Sequence, residues 1–424
     1  MMQTRQPDSS NALWIGVAML AVAAIALGLH FGTNVRQKSS IRDEPLMKVP
    51  IDDIHEKGWS VETAIDYQEV KGPIFFWMYA IPAELFGNDI NTMRLVSISY
   101  LVFGALPVLL LAGMAGVRGP PILFVAAFYM LLPYNLPQAQ LLMSEASFIV
   151  LGAWAMWAAV WGMQDQRSRG RRVLALVVYG VLVSAMLHHR PHAVAIAGAV
   201  VLAATERDGI RSWPWWLASF LAGLSRIPLW HRWGGLVTSD YQQVFGFGIR
   251  PEAMTYFLAA LVPHLILLIW VAWRSRTVRW GRTALFLGAG VGLVLGLFAA
   301  PDLANVMPHT AIDVDQLEFA GVVATIARTL PGGAGVEHAV IAALATLGGA
   351  AVAALLVVAQ SAGAGSADGA IRRIAFWTIA TGVPLYVITA GAVYDRYLVV
   401  WTVLLPVVWT KALPLWLRSL QAVA

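Results

Sequence analysis

Residues 339–359 read AVIAALATLGGAAVAALLVVA, an uninterrupted apolar run without a single charge. A helix advances about 1.5 Å per residue, so roughly 20 such residues cross a bilayer core about 30 Å thick. The run is long enough to span. Working outward from it, apolar stretches lie near 12–31, 95–114, 120–137, 144–163, 173–188, 192–205, 214–230, 254–273, 283–300, 338–359, 374–391 and 397–417, with 173–188 and 192–205 short. The expected fold class is therefore all-α: a polytopic membrane helical bundle of about 12 transmembrane helices, forming one integral membrane domain over 1–424.

Composition agrees with that reading. The chain is 58% hydrophobic and only 12% charged, with a mean hydropathy of +0.67. That is about half the charge of a soluble domain. The net charge of +5 is carried mostly by arginines scattered between apolar runs. It therefore reads as a topology signal and not as a nucleic-acid surface. No nucleic-acid partner is expected. With no cysteine in the chain, disulfides, thiolate metal ligands and cysteine nucleophiles are excluded. The first apolar stretch ends Leu29-His30-Phe31-Gly32 without the small-residue pair of a cleavage site, and is expected to stay as an anchor.

Short cytoplasmic loops are enriched in Lys and Arg. Arg167, Arg169, Arg171 and Arg172 follow the fourth stretch; Arg207 and Arg211 the sixth; Arg274, Arg276, Arg279 and Arg282 the eighth; and Arg372 and Arg373 precede the eleventh. Counting twelve spans puts all of them on one side, with both termini cytoplasmic. Nineteen of the 24 acidic residues then sort to the outer side or its boundary. The stretches 74–87 and 319–331 are too short to span. The first is expected as a juxtamembrane helix on the outer leaflet, the second in an outer loop. Residues 360–373, rich in Gly, Ala and Ser, are expected as a flexible cytoplasmic loop.

The first outer loop, covering positions 32–93, holds ten acids. Loops of that length are usually functional or disordered. It carries Asp43-Glu44, Asp52-Asp53, His55-Glu56, Glu62, Asp66, Glu69 and Lys71, interleaved with Trp59, Tyr67 and Trp77. An acidic pair at a membrane boundary supplies a general base or binds a divalent cation; it is equally a solvated turn, and its spacing does not separate these.

Read in order, the loop runs Asp43-Glu44, Lys71-Gly72-Pro73-Ile74, Phe86-Gly87 and then Arg94-Leu95 opening the second span. Met143-Ser144-Glu145 opens the fourth span, Arg190-Pro191 lies between the fifth and sixth, and Arg396-Tyr397 opens the last. This series resembles the polyprenyl-phosphate-dependent glycosyltransferases of the GT-C superfamily, in particular the branch of protein O-mannosyltransferases and lipid A aminoarabinose transferases. Val96 stands where that branch usually has Pro.

The resemblance implies a glycosyltransferase that moves a sugar from a polyprenyl-phosphate donor to an acceptor at the outer face of the cell (inner) membrane, by an inverting displacement. Asp43 is implied as general base, with Glu44 orienting the acceptor or holding a metal. Glu69 is implied as an acceptor or metal contact, and Lys71, Arg190, Arg396 and Tyr397 as lipid-phosphate contacts. The partners implied are the lipid-linked donor, membrane lipids and a glycan, glycolipid or protein acceptor. A divalent metal ion is the one cofactor left open. Each residue also has a plainer reading: Lys71 as a snorkelling lysine, Arg396 as the ion-pair partner of Asp395, and His188, His189 and His192 as interfacial histidines as readily as metal ligands. The alternative function is a twelve-helix secondary transporter, a class that usually shows related halves and broken helices at mid-membrane.

Overall fold

The computed structural model describes residues 9–37, 43–67, 71–132, 135–164, 168–235, 248–275, 278–301, 333–363, 365–389 and 398–421, together with 323, 326 and 331. The described residues fold into helices joined by turns and contain no strand. Sixteen helices carry the architecture. They are α1 (Ser9–Gly32), α2 (Glu44–Lys57), α3 (Pro73–Phe86), α4 (Ile90–Met114), α5 (Pro121–Leu131), α6 (Ser144–Gly162), α7 (Arg169–His189) and α8 (Val194–Asp208). The remainder are α9 (Trp213–Leu224), α10 (Ile227–Trp233), α11 (Pro251–Ala260), α12 (Val262–Arg274), α13 (Gly281–Phe298), α14 (Gly333–Gln360), α15 (Ala367–Thr389) and α16 (Leu405–Gln421).

Each of the twelve expected stretches contains a helix, and the chain is a multi-pass membrane protein. Among the described residues, six helices are individually long and apolar enough to cross a membrane, and a seventh span is made by α11 and α12 if that bent pair is one unit. The other stretches are broken. The helix α5 has only 11 residues before the chain turns, and α9 stops after 12 at Ser225-Arg226 and resumes as α10. Helices α11 and α12 meet at 71°. Pro263 at the junction accounts for the bend, because it donates no N–H and its ring crowds the preceding turn.

Inside the membrane, helices associate through close packing more than through the hydrophobic effect. The pair α13 and α14 packs that way. A Cβ on Gly292 would collide with the carbonyl oxygen of Ala345 and lie 2.8 Å from its carbon, so only glycine permits this approach. Lipid-sized apolar side chains turn outward on the other face of α13, among them Phe286, Leu287 and Phe298.

The arginine-rich end closes on itself with ion pairs. Arg172 reaches Asp208 at 3.5 Å, Arg373 reaches Glu206 at 3.2 Å, and Arg372 reaches Asp368 at 2.7 Å. These contacts revise the expected loop 360–373. Residues 367–373 are the first turns of α15, with Arg372 and Arg373 buried, so the connection narrows to 361–366.

The 74–87 stretch, expected as a juxtamembrane helix, forms the helix α3. Phe75, Phe76 and Tyr79 are fully buried while Ile81, Leu85 and Phe86 are exposed. Gly87 ends it with φ +98°, a conformation that side chains other than glycine adopt poorly. The amphipathic α2 lays Met47, Ile51 and Ile54 into the same apolar cluster as Phe75, Phe76 and Tyr79. The 319–331 stretch lies almost wholly outside the described residues.

Candidate functional site

Asp43 and Glu44 stand at the start of α2, but their environments diverge. Glu44 is fully buried. Arg94 Nε donates to its Oε1 at 2.9 Å and Arg94 Nη2 to its Oε2 at 2.5 Å, and the Leu142 N–H donates to Oε1 at 2.8 Å. Arg94, itself fully buried, also donates to the Val35 carbonyl at 2.7 Å. Glu44 was expected to orient an acceptor or hold a metal; the carboxylate is instead consumed in fastening the outer loop to α4. A bidentate pair sealed from water explains the difference, since neither charge tolerates burial without the other. Asp43 is half-buried and precedes the helix, its carbonyl accepting from the Met47 N–H at 3.0 Å.

The chain from Leu142 to Glu145 links this pair to a second polar centre. Leu142 binds Glu44, the Met143 carbonyl accepts from Tyr79 Oη at 3.2 Å, and Ser144 and Glu145 receive Arg190. Glu145 is buried and its carboxylate lies 3.0 Å from Arg190 Nη2. The Met143-Ser144-Glu145 entry and the Arg190-Pro191 hinge, separate in sequence, are therefore in contact.

Lys71 joins the same place through the main chain. The Gly72 N–H donates to the His189 carbonyl at 2.9 Å, and Tyr67 Oη donates to the Lys71 carbonyl at 2.9 Å. His189 is fully buried, with Nε2 2.8 Å from Ser147 Oγ and its ring between Phe75 and Phe148. The Gly72–His189 bond sets Lys71 beside Arg190, and His188 Nε2, 3.1 Å from the Ser225 carbonyl oxygen, brings in the segment that carries Arg226. The first two were singled out from sequence; the third was not.

Arg226 sits at the break between α9 and α10, buried, with its guanidinium 5.9 Å from the Trp233 ring. Its neighbour Ser225 meets the end of α7, with the Ser225 carbonyl oxygen 3.1 Å from His188 Nε2. Leu224-Ser225 and Ile227 flank it within an apolar run. An arginine within an apolar run of a membrane protein is a functional candidate from sequence, and this is the signal that would have found it. The helix after it straps the outer loop in place. Arg232 holds Asp66 through two bonds of 2.5 Å, and Trp233 Nε1 donates to the Ile65 carbonyl at 3.1 Å. The Arg232 guanidinium holds the Asp66 carboxyl below the usual carboxylate range.

Three expected site residues, Glu69, Arg396 and Tyr397, lie outside the described residues. Among the described residues no three His, Asp or Glu side chains are grouped to hold a metal ion. With Glu44 committed to Arg94, the acidic pair does not offer the two-carboxylate donor set a hard divalent cation prefers.

The arrangement places a half-buried carboxylate and segments carrying three cations, Lys71, Arg190 and Arg226, at one end of a helical bundle. No protein-family pattern matches the chain, and no curated protein matches it. Among solved structures, it is similar to two crystal structures of ArnT from Cupriavidus metallidurans. The one bound to undecaprenyl phosphate has TM-score 0.47 and 15% identity, covering 95% of this chain and 78% of that one. The apo state gives TM-score 0.47 and 16% identity, over 95% and 77%.

Proposed function

We propose that the protein is a membrane glycosyltransferase of the GT-C kind, taking a sugar from a polyprenyl-phosphate donor at the outer face of the cell membrane, with both termini cytoplasmic. One observation supports the reading: the Gly72 N–H bonds to the His189 carbonyl at 2.9 Å and His188 Nε2 lies 3.1 Å from the Ser225 carbonyl oxygen, contacts that bring the neighbouring Lys71, Arg190 and Arg226, from three separate parts of the chain, to one end of the bundle. A cluster of cations partly withdrawn from water suits a phosphate, and its stabilisation matters most as phosphate charge develops on the leaving group. The ordered motifs of the outer loop support the same donor class.

In this reading Asp43 removes the proton of an acceptor hydroxyl or amine. The acceptor then attacks the anomeric carbon from the face opposite the phosphate, and the bond from that carbon to the phosphate oxygen breaks. The electron pair leaves with the lipid phosphate, which Lys71, Arg190 and Arg226 receive, so configuration inverts. Glu69, Arg396 and Tyr397 remain assigned beside this centre on the motif resemblance alone.

The test is transfer of label from radiolabelled polyprenyl-phosphate sugars to membrane acceptors by the purified protein. Asp43→Asn is expected to lower transfer by about 10²- to 10⁴-fold while expression and unfolding temperature stay at wild-type values. An active Asp43→Asn protein overturns the base assignment. The second reading, a secondary transporter, draws on the sharp break between α11 and α12, beside which His264 is buried, since transporters place broken helices at mid-membrane. Substrate-driven uptake into liposomes without label transfer would favour it.

A further inference from the structure

A main-chain bond, from the Gly72 N–H to the His189 carbonyl, brings Lys71 beside Arg190. A Cβ added at Gly72 would collide with the His188 carbonyl oxygen, standing 2.5 Å from its carbon and 3.3 Å from the His189 nitrogen. The backbone there has φ −77° and ψ 165°. Any residue adopts that conformation, so glycine is required for space and not for torsional freedom. A carbon–oxygen contact normally needs about 3.3 Å, so a methyl group at position 72 must separate the two segments by roughly 1 Å or more.

The surroundings leave little room to absorb that shift. Gly72 caps α3, and its carbonyl accepts from the Phe75 N–H at 3.1 Å. Behind it Phe75 and Phe76 are fully buried, and the Phe75 ring packs edge-on to His189 at 5.4 Å. On the facing side, His189 is held by Ser147 at 2.8 Å. Close-packed neighbours transmit such a displacement instead of damping it. It falls on the segment just before the helix, which is Lys71.

We infer that Gly72 is a positioning residue: its missing side chain sets the separation between Lys71 and Arg190, through the bond from Gly72 N–H to the His189 carbonyl. This rests on the reading of those two cations as phosphate contacts, but the geometry is testable without it. The chain has no cysteine, so Lys71→Cys with Arg190→Cys leaves two thiols in the full-length protein. A graded series of bis-methanethiosulfonate reagents then measures their separation in membranes. With Gly72 present the shortest reagents are expected to link the pair; adding Gly72→Ala is expected to require a longer one. The same shortest reagent in both backgrounds overturns the inference. Should Gly72→Ala not fold, failure of the short reagents in the Gly72 background overturns it as well.

The single variant Gly72→Ala supplies the functional arm. A displacement of about 1 Å at a positioning contact can cost about 10²-fold, so KM for a polyprenyl-phosphate sugar is expected to rise by about 10- to 100-fold. Because Lys71 and Arg190 also receive the charge that develops on the leaving phosphate, kcat is expected to fall as well, while the unfolding temperature stays at the wild-type value. A longer cross-link with unchanged KM removes the positioning role. A wild-type protein that neither binds nor uses polyprenyl phosphates, yet keeps the cross-linking pattern, ends the transferase reading and leaves the spacing role of Gly72 intact.

Discussion

Two glutamate–arginine pairs stand close together at one end of this protein, and their surroundings differ. In Glu44–Arg94 both side chains are 0% exposed, the contact is bidentate, and a main-chain N–H and a carbonyl complete the coordination. In Glu145–Arg190 the carboxylate is sealed at 1% but the arginine keeps 11% exposure, and Lys71 and Arg226 lie nearby. The first pair neutralises itself and closes the fold. The second holds one cation at the edge of a cation-rich centre. A buried ion pair is thus no single signature: in the proposed reading, the balance of charge around it separates a clasp from a binding contact.

The contrast is open to its largest challenge at the first pair. Removing one partner of a sealed ion pair strands the other charge, at a cost of about 3–5 kcal/mol. Glu44→Ala is therefore expected to destabilise the protein severely, read as a large fall in unfolding temperature in detergent. Replacing both partners with apolar residues, Glu44→Leu with Arg94→Met, is expected to restore most of that loss. A Glu44→Ala protein of wild-type stability would mean the pair is no clasp.

At the second centre the expected losses are in binding. A hydrogen bond to a charged group contributes about 1.5–3 kcal/mol, so Lys71→Gln and Arg226→Gln should each weaken polyprenyl-phosphate binding by roughly 10- to 150-fold with the fold intact. Isothermal or fluorescence titration in nanodiscs reads this directly. Glu145 is expected to act one step removed. Glu145→Ala should raise KM for the donor by about 10-fold, while Glu145→Gln, whose amide oxygen still accepts from Arg190, should keep most of the wild-type value.

The smallest effect lies at the exposed strap between Asp66 and Arg232. The Asp66 carboxyl is depressed by its bonds to Arg232. The contribution of the pair is therefore fully present above the ordinary carboxylate pKa of about 4, and is lost as pH falls through the lower folded value. Asp66→Asn should flatten that acid limb of the stability curve and change little at neutral pH.

How far the sequence could be read follows the range of the interactions. The helices were legible because long apolar runs are local signals, and α3 was legible as a separate short helix because residues 74–87 are apolar yet too few to span. The broken spans were less so: Pro263 bends α11 against α12, and hydropathy alone does not register a bend. The functional centre divides the same way. Lys71 and Arg190 sit in recognisable local motifs. The fate of Glu44 depended on Arg94, fifty residues away, and the role of Arg226 on how α9 and α10 meet α7. Neither partnership leaves a trace in local spacing.

Everything proposed for the donor depends on Lys71, Arg190 and Arg226 forming one phosphate site. A structure determined with a polyprenyl phosphate bound tests this most directly. The phosphate is expected within hydrogen-bonding reach of all three side chains, beside the buried His189. A phosphate held at another end of the bundle, with these three cations uninvolved, would contradict it.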